Sequence, residues 1–281
     1  MLAAGLAFAA SVTWGCADFF GGLFSRRLTV AVVVFVGQGA ALGAVLLVAW
    51  VSGDVQARGV EIGVLAGLFG GVGLAAYYRA LATGTMSIVA PIAACGALLS
   101  VGLALAEGER PSLLSLGGAL LDIAGAVVAS LRERRKGEAN RQAIVLALVT
   151  AFMFGMLLYV LGRASDEGGA LSALLGSRAG SLGILLIWLI AVRPPFRLGR
   201  PLVMLGVALA GTMAAFANGL YGAAAERGLI SIVSVIASLY PLMTVVLAHV
   251  VLGERIAQVQ RIGIAAAMTG VAISVLGTSG S

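Results

Sequence analysis

Asp18, Asp122 and Arg178 are ionisable residues set inside long apolar runs. On insertion scales a charge at mid-membrane costs roughly 2.5–3.5 kcal/mol, so it normally faces a bundle interior or a water-filled cavity. Asp18 shares a helix face with Ser11, Gly15 and Gly22, and Trp14 precedes it by one turn. That face reads as a cavity wall whose carboxylate takes a proton or a cation, or as an acid near a helix end reaching interfacial water. Asp122 shares a face with Gly118 and Gly125, small residues that let helices approach closely. It reads as a proton-linked carboxylate or as a packed acid, neutral or hydrogen-bonded. Arg178, flanked by Gly176 and Gly180, could hold a substrate carboxylate, pair with an acid such as Asp18, or snorkel its stem to the interface.

Other polar groups add to this set. Arg79 and Glu226 lie near the ends of apolar runs and suit interfacial anchoring. His249 is the single histidine, readable as a proton sensor or as a structural residue. Tyr77, Tyr78, Asn218, Tyr221 and Tyr240 bring hydroxyls and an amide to membrane depth, as cavity lining or as packing. Pro91 and Pro241 interrupt two runs, where a kink would hinge a gate or simply curve a helix. Gly63, Gly67 and Gly71 repeat at spacing four, as do Gly39 and Gly43, which predicts close helix contacts at both places. Cys16 and Cys95 form no CxxC and no Cys/His cluster, so buried inert thiols are expected, with no disulfide and no zinc. No ATP-binding signature is present, and no cofactor or metal is expected.

The elements that must position these residues follow from composition. The chain has 281 residues, 60% hydrophobic and 11% charged, with 40 glycines. Soluble domains carry about 25% charged residues. A spanning helix takes roughly 20 apolar residues. Ten apolar runs can be read: 2–24, 29–51, 60–81, 86–106, 113–131, 143–160, 170–192, 202–225, 229–252 and 256–276. Lipid satisfies no free backbone group, so each run is a helix, and the ten-residue alternation of a barrel strand is absent. The composition argues against a cytosolic enzyme or a nucleic-acid binder despite a formal charge of +6.

The runs repeat. Ala80-Leu81-Ala82-Thr83-Gly84 followed by Ser87-Ile88-Val89 parallels Ala224-Ala225-Glu226-Arg227-Gly228 followed by Ser231-Ile232-Val233, at an offset of 144. Tyr77 falls on Tyr221 at the same offset, and Trp14-Gly15 falls on Phe154-Gly155 at an offset of 140. Gly108-Glu109-Arg110 parallels Gly253-Glu254-Arg255, and Gly118 and Gly125 parallel Gly263 and Gly270. Asp122 has Ala267 as its counterpart, so repeat symmetry does not need the acid. Five is odd, so a second set of five helices enters the membrane from the opposite face. The expected fold is an all-α integral membrane protein of ten transmembrane helices in two inverted five-helix repeats, 1–136 and 137–281. Many secondary transporters are built this way, with the substrate near the midplane between the halves.

The chain resembles the drug/metabolite transporter superfamily in its ten-helix EamA branch. The resemblance rests on Trp14-Gly15 in helix one, the Gly-Glu-Arg triplets after helices four and nine, the Gly-x6-Gly helices that follow, and Arg178 in helix seven. It covers nearly the whole chain. Gln38 stands at the position matching Arg178 in the first half, where this family often has arginine, so a role needing charge in both halves does not carry over. The resemblance implies a secondary transporter working by alternating access and exporting a small, amino-acid-like metabolite. With the residue reading, it makes Trp14, Asp18, Gln38, Tyr77, Arg178, Asn218, Tyr221 and Tyr240 the candidate substrate-binding set. Asp18 and Asp122 are the candidates for proton coupling.

Basic residues set an orientation. The connections after helices one, three, five, seven and nine carry 12 Lys or Arg, and the other face carries Arg58, Arg110, Arg163 and Arg227. The positive-inside rule puts the basic 132–141 loop in the cytoplasm and both termini outside, in a cytoplasmic (inner) membrane. The expected partners are a small-molecule substrate and the lipid bilayer, without nucleic acid, in a monomer. Two other classes stand beside the transporter. A flippase would show a lateral polar groove, and an intramembrane enzyme would need a nucleophile and base that one histidine and no GxSxG supply poorly.

Overall fold

The computed structural model describes residues 2–83, 86–130, 141–252 and 258–278. The proposed repeat boundary at 136/137, the 132–141 loop apart from Arg141, and the Gly253-Glu254-Arg255 triplet lie outside them. The described residues form α1 (Leu2–Ser25), α2 (Val30–Ser52), α3 (Ala57–Thr83), α4 (Met86–Ala94), α5 (Gly96–Ala106), α6 (Leu113–Ser130), α7 (Arg141–Gly168), α8 (Ala170–Val192), α9 (Pro201–Ala225), α10 (Ile230–Ala237), α11 (Tyr240–Leu252) and α12 (Gln258–Thr278). They make ten passes, because α4 and α5 share the fourth and α10 and α11 share the ninth. Seven passes are long and apolar enough to cross a membrane on length and composition alone. Large apolar side chains such as Trp50 (82% exposed), Ile187, Ile190 and Leu202 point outward, a surface that suits hydrocarbon rather than water.

Local signals end the helices. Gly53 closes α2 in the left-handed region at φ 66°, its N–H returning to Ala49 O. Arg193 closes α8 at φ 48°, and Pro194 and Pro195 bar continuation. Pro201 opens α9 at a position where its missing N–H costs nothing.

The breaks in the fourth and ninth passes fall at Cys95 and at Ser238–Leu239, equivalent positions at the repeat offset. The two prolines are not equivalent. Pro241 is the second residue of α11, at its break, whereas Pro91 sits within α4, four residues before the break. The broken pass therefore belongs to the fold of each repeat rather than to one proline.

Glycine decides which helices approach closely. Along α3, Gly59, Gly63, Gly67 and Gly71 lie against Gly168, Ala173, Ser177 and Ser181, while Gly176 and Gly180 of α8 lie against Val60 and Val64. A Cβ at any of these would meet backbone. The expectation for Gly63, Gly67 and Gly71 is therefore met. The expectation for Gly39 and Gly43 is corrected: both face open space, and the close approach of α2 is made by Gly37 against Gly211 of α9. α6 and α12 form a second tight pair through Gly118 against Gly270 and Ser274, and Gly125 against Gly263 and Ala267.

The start of α1, the end of α12 and the even-numbered connections gather at one end. Arg58 bonds Glu167 at 3.2 Å, Arg163 pairs with Glu107 at 3.4 Å, and Ser112 donates to Gly277 O at 3.0 Å. Glu226 accepts from the N–H of Ala170, the first residue of α8, and pairs with Arg227 at 2.8 Å. At the opposite end Leu28 packs on Gly199, and Phe35 meets Phe196 edge-on at 5.9 Å.

Candidate functional site

A central cavity of about 700 Å³ lies between the two halves. Helical spacing in α1 turns Trp14 and Asp18 to it, while α2 and α8 supply Gln38 and Arg178. α9 supplies Asn218, and the break between α10 and α11 supplies Ala237, Ser238 and Tyr240. A smaller adjoining space of about 300 Å³ shares Gln38, Leu74 and Ala214 with it and reaches past Gly21, Val33 and Val207 toward the end holding Leu28 and Gly199.

The wall is symmetric in position. Trp14 and Phe154, Asp18 and Leu158, Gln38 and Arg178, Gly70 and Ala214, Leu74 and Asn218, Ala93 and Ala237, and Ala94 and Ser238 are repeat-equivalent pairs, and both members of each line the cavity. The same symmetry orders the rings behind it. Trp14 stacks obliquely on Tyr221 at 5.8 Å, and Phe154 meets Tyr77 at 5.6 Å.

The wall is asymmetric in chemistry. Trp14 donates through its indole nitrogen to Asn218 Oδ1 at 2.7 Å, whereas the equivalent pair, Phe154 and Leu74, is apolar. Arg178 is 4% exposed and donates to Gln38 Oε1 at 2.9 Å and to Ser177 Oγ at 3.4 Å. Among the described residues its buried Nε has no partner, and neither has the buried hydroxyl of Tyr240. Arg178 neither snorkels nor pairs with Asp18. Asp18 is buried at the wall, while its counterpart is Leu158. Around the cavity stand a carboxyl, a guanidinium, an amide and a phenol beside an apolar surface of Leu74, Phe154, Leu157 and Leu158, the Arg178 Nε and the Tyr240 hydroxyl oxygen being themselves buried.

Six of the eight residues expected to bind substrate come together here. Tyr77 and Tyr221 stand behind the wall, 1% and 0% exposed, and Tyr221 donates to Leu158 O at 2.7 Å. Asp122 lies elsewhere, at the α6–α12 contact, with both carboxyl oxygens buried and unpartnered. Cys16 and Cys95 are free and partly exposed rather than fully buried. His249 is exposed on α11. Sequence reasoning passed over Leu74, Leu157, Leu158 and Ser238. The repeat offset was the signal for two of them, since it carries Asn218 to Leu74 and Asp18 to Leu158.

The profile of the EamA-like transporter family matches the chain twice, over residues 1–131 and 141–276. The chain belongs to the EamA-like transporter family. As an EamA-like transporter of the drug/metabolite transporter superfamily, it is a multi-pass membrane protein whose setting is the lipid bilayer and whose cargo is a small molecule. In sequence, no curated protein matches it. A solved structure described as "Crystal structure of protein" is similar to this EamA-like transporter at 18% identity and a TM-score of 0.79, covering 98% of this chain and 96% of the other. That likeness concerns the fold.

Proposed function

We propose that this protein is an alternating-access secondary transporter that exports a small amino-acid-like metabolite. The observation that carries the reading is the chemistry of the central cavity, where Arg178, Asp18 and Asn218 face an apolar wall of Leu74, Leu157 and Leu158. Arg178 at the cavity wall would hold a carboxylate, since a guanidinium binds that group through paired N–H donors. Asp18 would hold an ammonium or a proton, and the leucines a short apolar side chain. The position between the halves, with wall residues drawn from both, supports a metabolite carrier over a flippase, which needs a lateral polar groove.

Asp18 is the coupling carboxylate in this reading, because it alone of the two candidates lines the cavity. A carboxyl that must give up either its proton or its bound substrate couples the two movements. The basic face is cytoplasmic, both termini lie outside, and the chain works as a monomer in the cytoplasmic membrane, with repeats at 1–136 and 137–281. Efflux from proteoliposomes loaded with a panel of amino acids and related metabolites, with and without a pH gradient, tests this. The expected result is movement of a subset of zwitterionic solutes, accelerated by the gradient. If no small solute moves, the reading fails.

A further inference from the structure

The Gly108-Glu109-Arg110 turn takes no part in the cavity wall. The Glu109 carboxylate instead accepts three hydrogen bonds from the start of α10: Ile230 N at 2.8 Å, Ser231 N at 3.0 Å and Ser231 Oγ at 2.6 Å. Two N–H groups that a helix start leaves without an internal partner are thereby satisfied. The first repeat thus grips the half-helix whose far end, Ala237 with the adjoining Ser238, forms cavity wall.

One turn along α10, Ser234 continues the connection. A buried chain runs from Ser100 of α5 to Ser234 at 2.8 Å, from Ser234 to the Tyr221 hydroxyl of α9 at 2.8 Å, and from that hydroxyl to Leu158 O of α7 at 2.7 Å. Four helices are pinned together between the cavity and the end where the even-numbered connections meet. Repeat symmetry assigns Thr244, Ala90 and Tyr77 to the matching places on the opposite side of the cavity. Ala90 has no hydroxyl, so that chain has no middle member. Thr244 turns instead to the backbone oxygens of Tyr240 at 3.3 Å and Gly15 at 3.5 Å. Among the described residues the hydroxyl chain is complete on one side of a positionally symmetric cavity and lacks its middle member on the other, and the adjoining space lies on that other side.

We infer that Glu109 and the Ser100–Ser234–Tyr221 chain form a latch that positions α10 and holds shut a gate on the even-connection side of the cavity. The inference rests on the alternating-access reading. Glu109 and Ser234 are positioning residues: Glu109 holds the start of α10, Ser234 ties α10 to α5 and α9, and neither lines the cavity. Opening that gate breaks their bonds, so their loss shifts the resting population toward that side.

The test uses a chain carrying Cys16→Ser, Cys95→Ser and Ala214→Cys, in vesicles of known orientation, labelled with a membrane-impermeant maleimide from either face. The reporter should react faster from the face bearing Leu28 and Gly199. Ser234→Ala or Glu109→Gln should raise the relative rate from the opposite face roughly tenfold, the equivalent of one lost hydrogen bond near the top of the usual range. Ser234→Thr should restore the parental ratio, which a general loosening of the bundle would not permit. Ser100→Ala decides the matter if Glu109→Gln fails to insert. An unchanged ratio in folded variants of a sided parent overturns the latch alone. A parent reporter equally reactive from both faces overturns alternating access and the latch with it.

Discussion

Arg178 donates a 2.9 Å hydrogen bond to Gln38, the residue at its own equivalent position in the other repeat. Only residues near a pseudo-twofold axis can meet their own counterparts. The pair therefore marks where the axis crosses the cavity. It also accounts for an amide at position 38: two guanidiniums this close in a buried site would repel, and the amide oxygen satisfies one N–H instead.

Removing that oxygen leaves a buried guanidinium short of a partner, a loss worth about 1–3 kcal/mol. Gln38→Ala is therefore expected to lower Tm in detergent by several degrees, as the shift per kcal/mol for a chain of this size is roughly 2–4 °C. Gln38→Glu, which offers a charged acceptor, should hold Tm while weakening efflux, because it competes with a substrate carboxylate for Arg178. Thermal unfolding and efflux rates measured side by side check both halves.

Asp18 and Asp122 separate by location. Asp18→Asn keeps the shape of the cavity wall and removes the titrating group, so efflux should continue downhill and lose its response to a pH gradient. Asp122→Asn, at the α6–α12 contact, should leave both rate and gradient response within about twofold. Loss of gradient response in Asp122→Asn with retention in Asp18→Asn would reverse the assignment.

Asp122 is buried with both oxygens unpartnered, an arrangement that costs stability whether the group is charged or neutral. Asp122→Ala, the residue its counterpart Ala267 already carries, is expected to be neutral or stabilising, by up to about 1–2 kcal/mol. A fall in Tm would mean that the carboxyl has an unrecognised structural partner.

The α3–α8 contact has no room for a side chain. At Gly67 a Cβ would meet the backbone of Ser177 and Ser181, neither of which can move aside cheaply. Gly67→Leu should prevent insertion or unfold the protein, whereas Gly39→Leu, facing open space, should be tolerated. Expression and monodispersity in detergent distinguish the two.

Asymmetry of the wall predicts selectivity. Asn218→Leu copies the Leu74 position and removes the acceptor for the Trp14 indole. It should favour more apolar solutes, and a competition series across side chains of rising polarity should show the order change.

Much of the fold is legible in the residues because the bilayer restricts what a chain can do. Backbone groups without water must close on themselves, so ten apolar runs mean ten helical passes, and an odd number per repeat means inversion. The repeat offset is also a reading of the cavity, since equivalent residues must flank the axis. Tyr77 and Tyr221 are equivalent by that offset yet lie behind the wall, whereas Leu158 and Leu74, the counterparts of Asp18 and Asn218, line it. Periodicity gives a residue's helix face but not its depth behind a neighbouring ring.

The sequence alone determined the membrane setting, the ten passes, the inverted repeat and the short list of polar residues that hydrocarbon would not tolerate. Tertiary structure decided which of those residues meet. Asp18 and Asp122 look alike in their apolar runs, yet one lines a cavity and the other is sealed between two helices. Glu109 looks like a turn residue and grips a helix 121 positions away. The physical reason is that composition and period act through the solvent and the local backbone, whereas partnership depends on how helices far apart in the chain are packed. That packing is set here by where glycines let backbones touch.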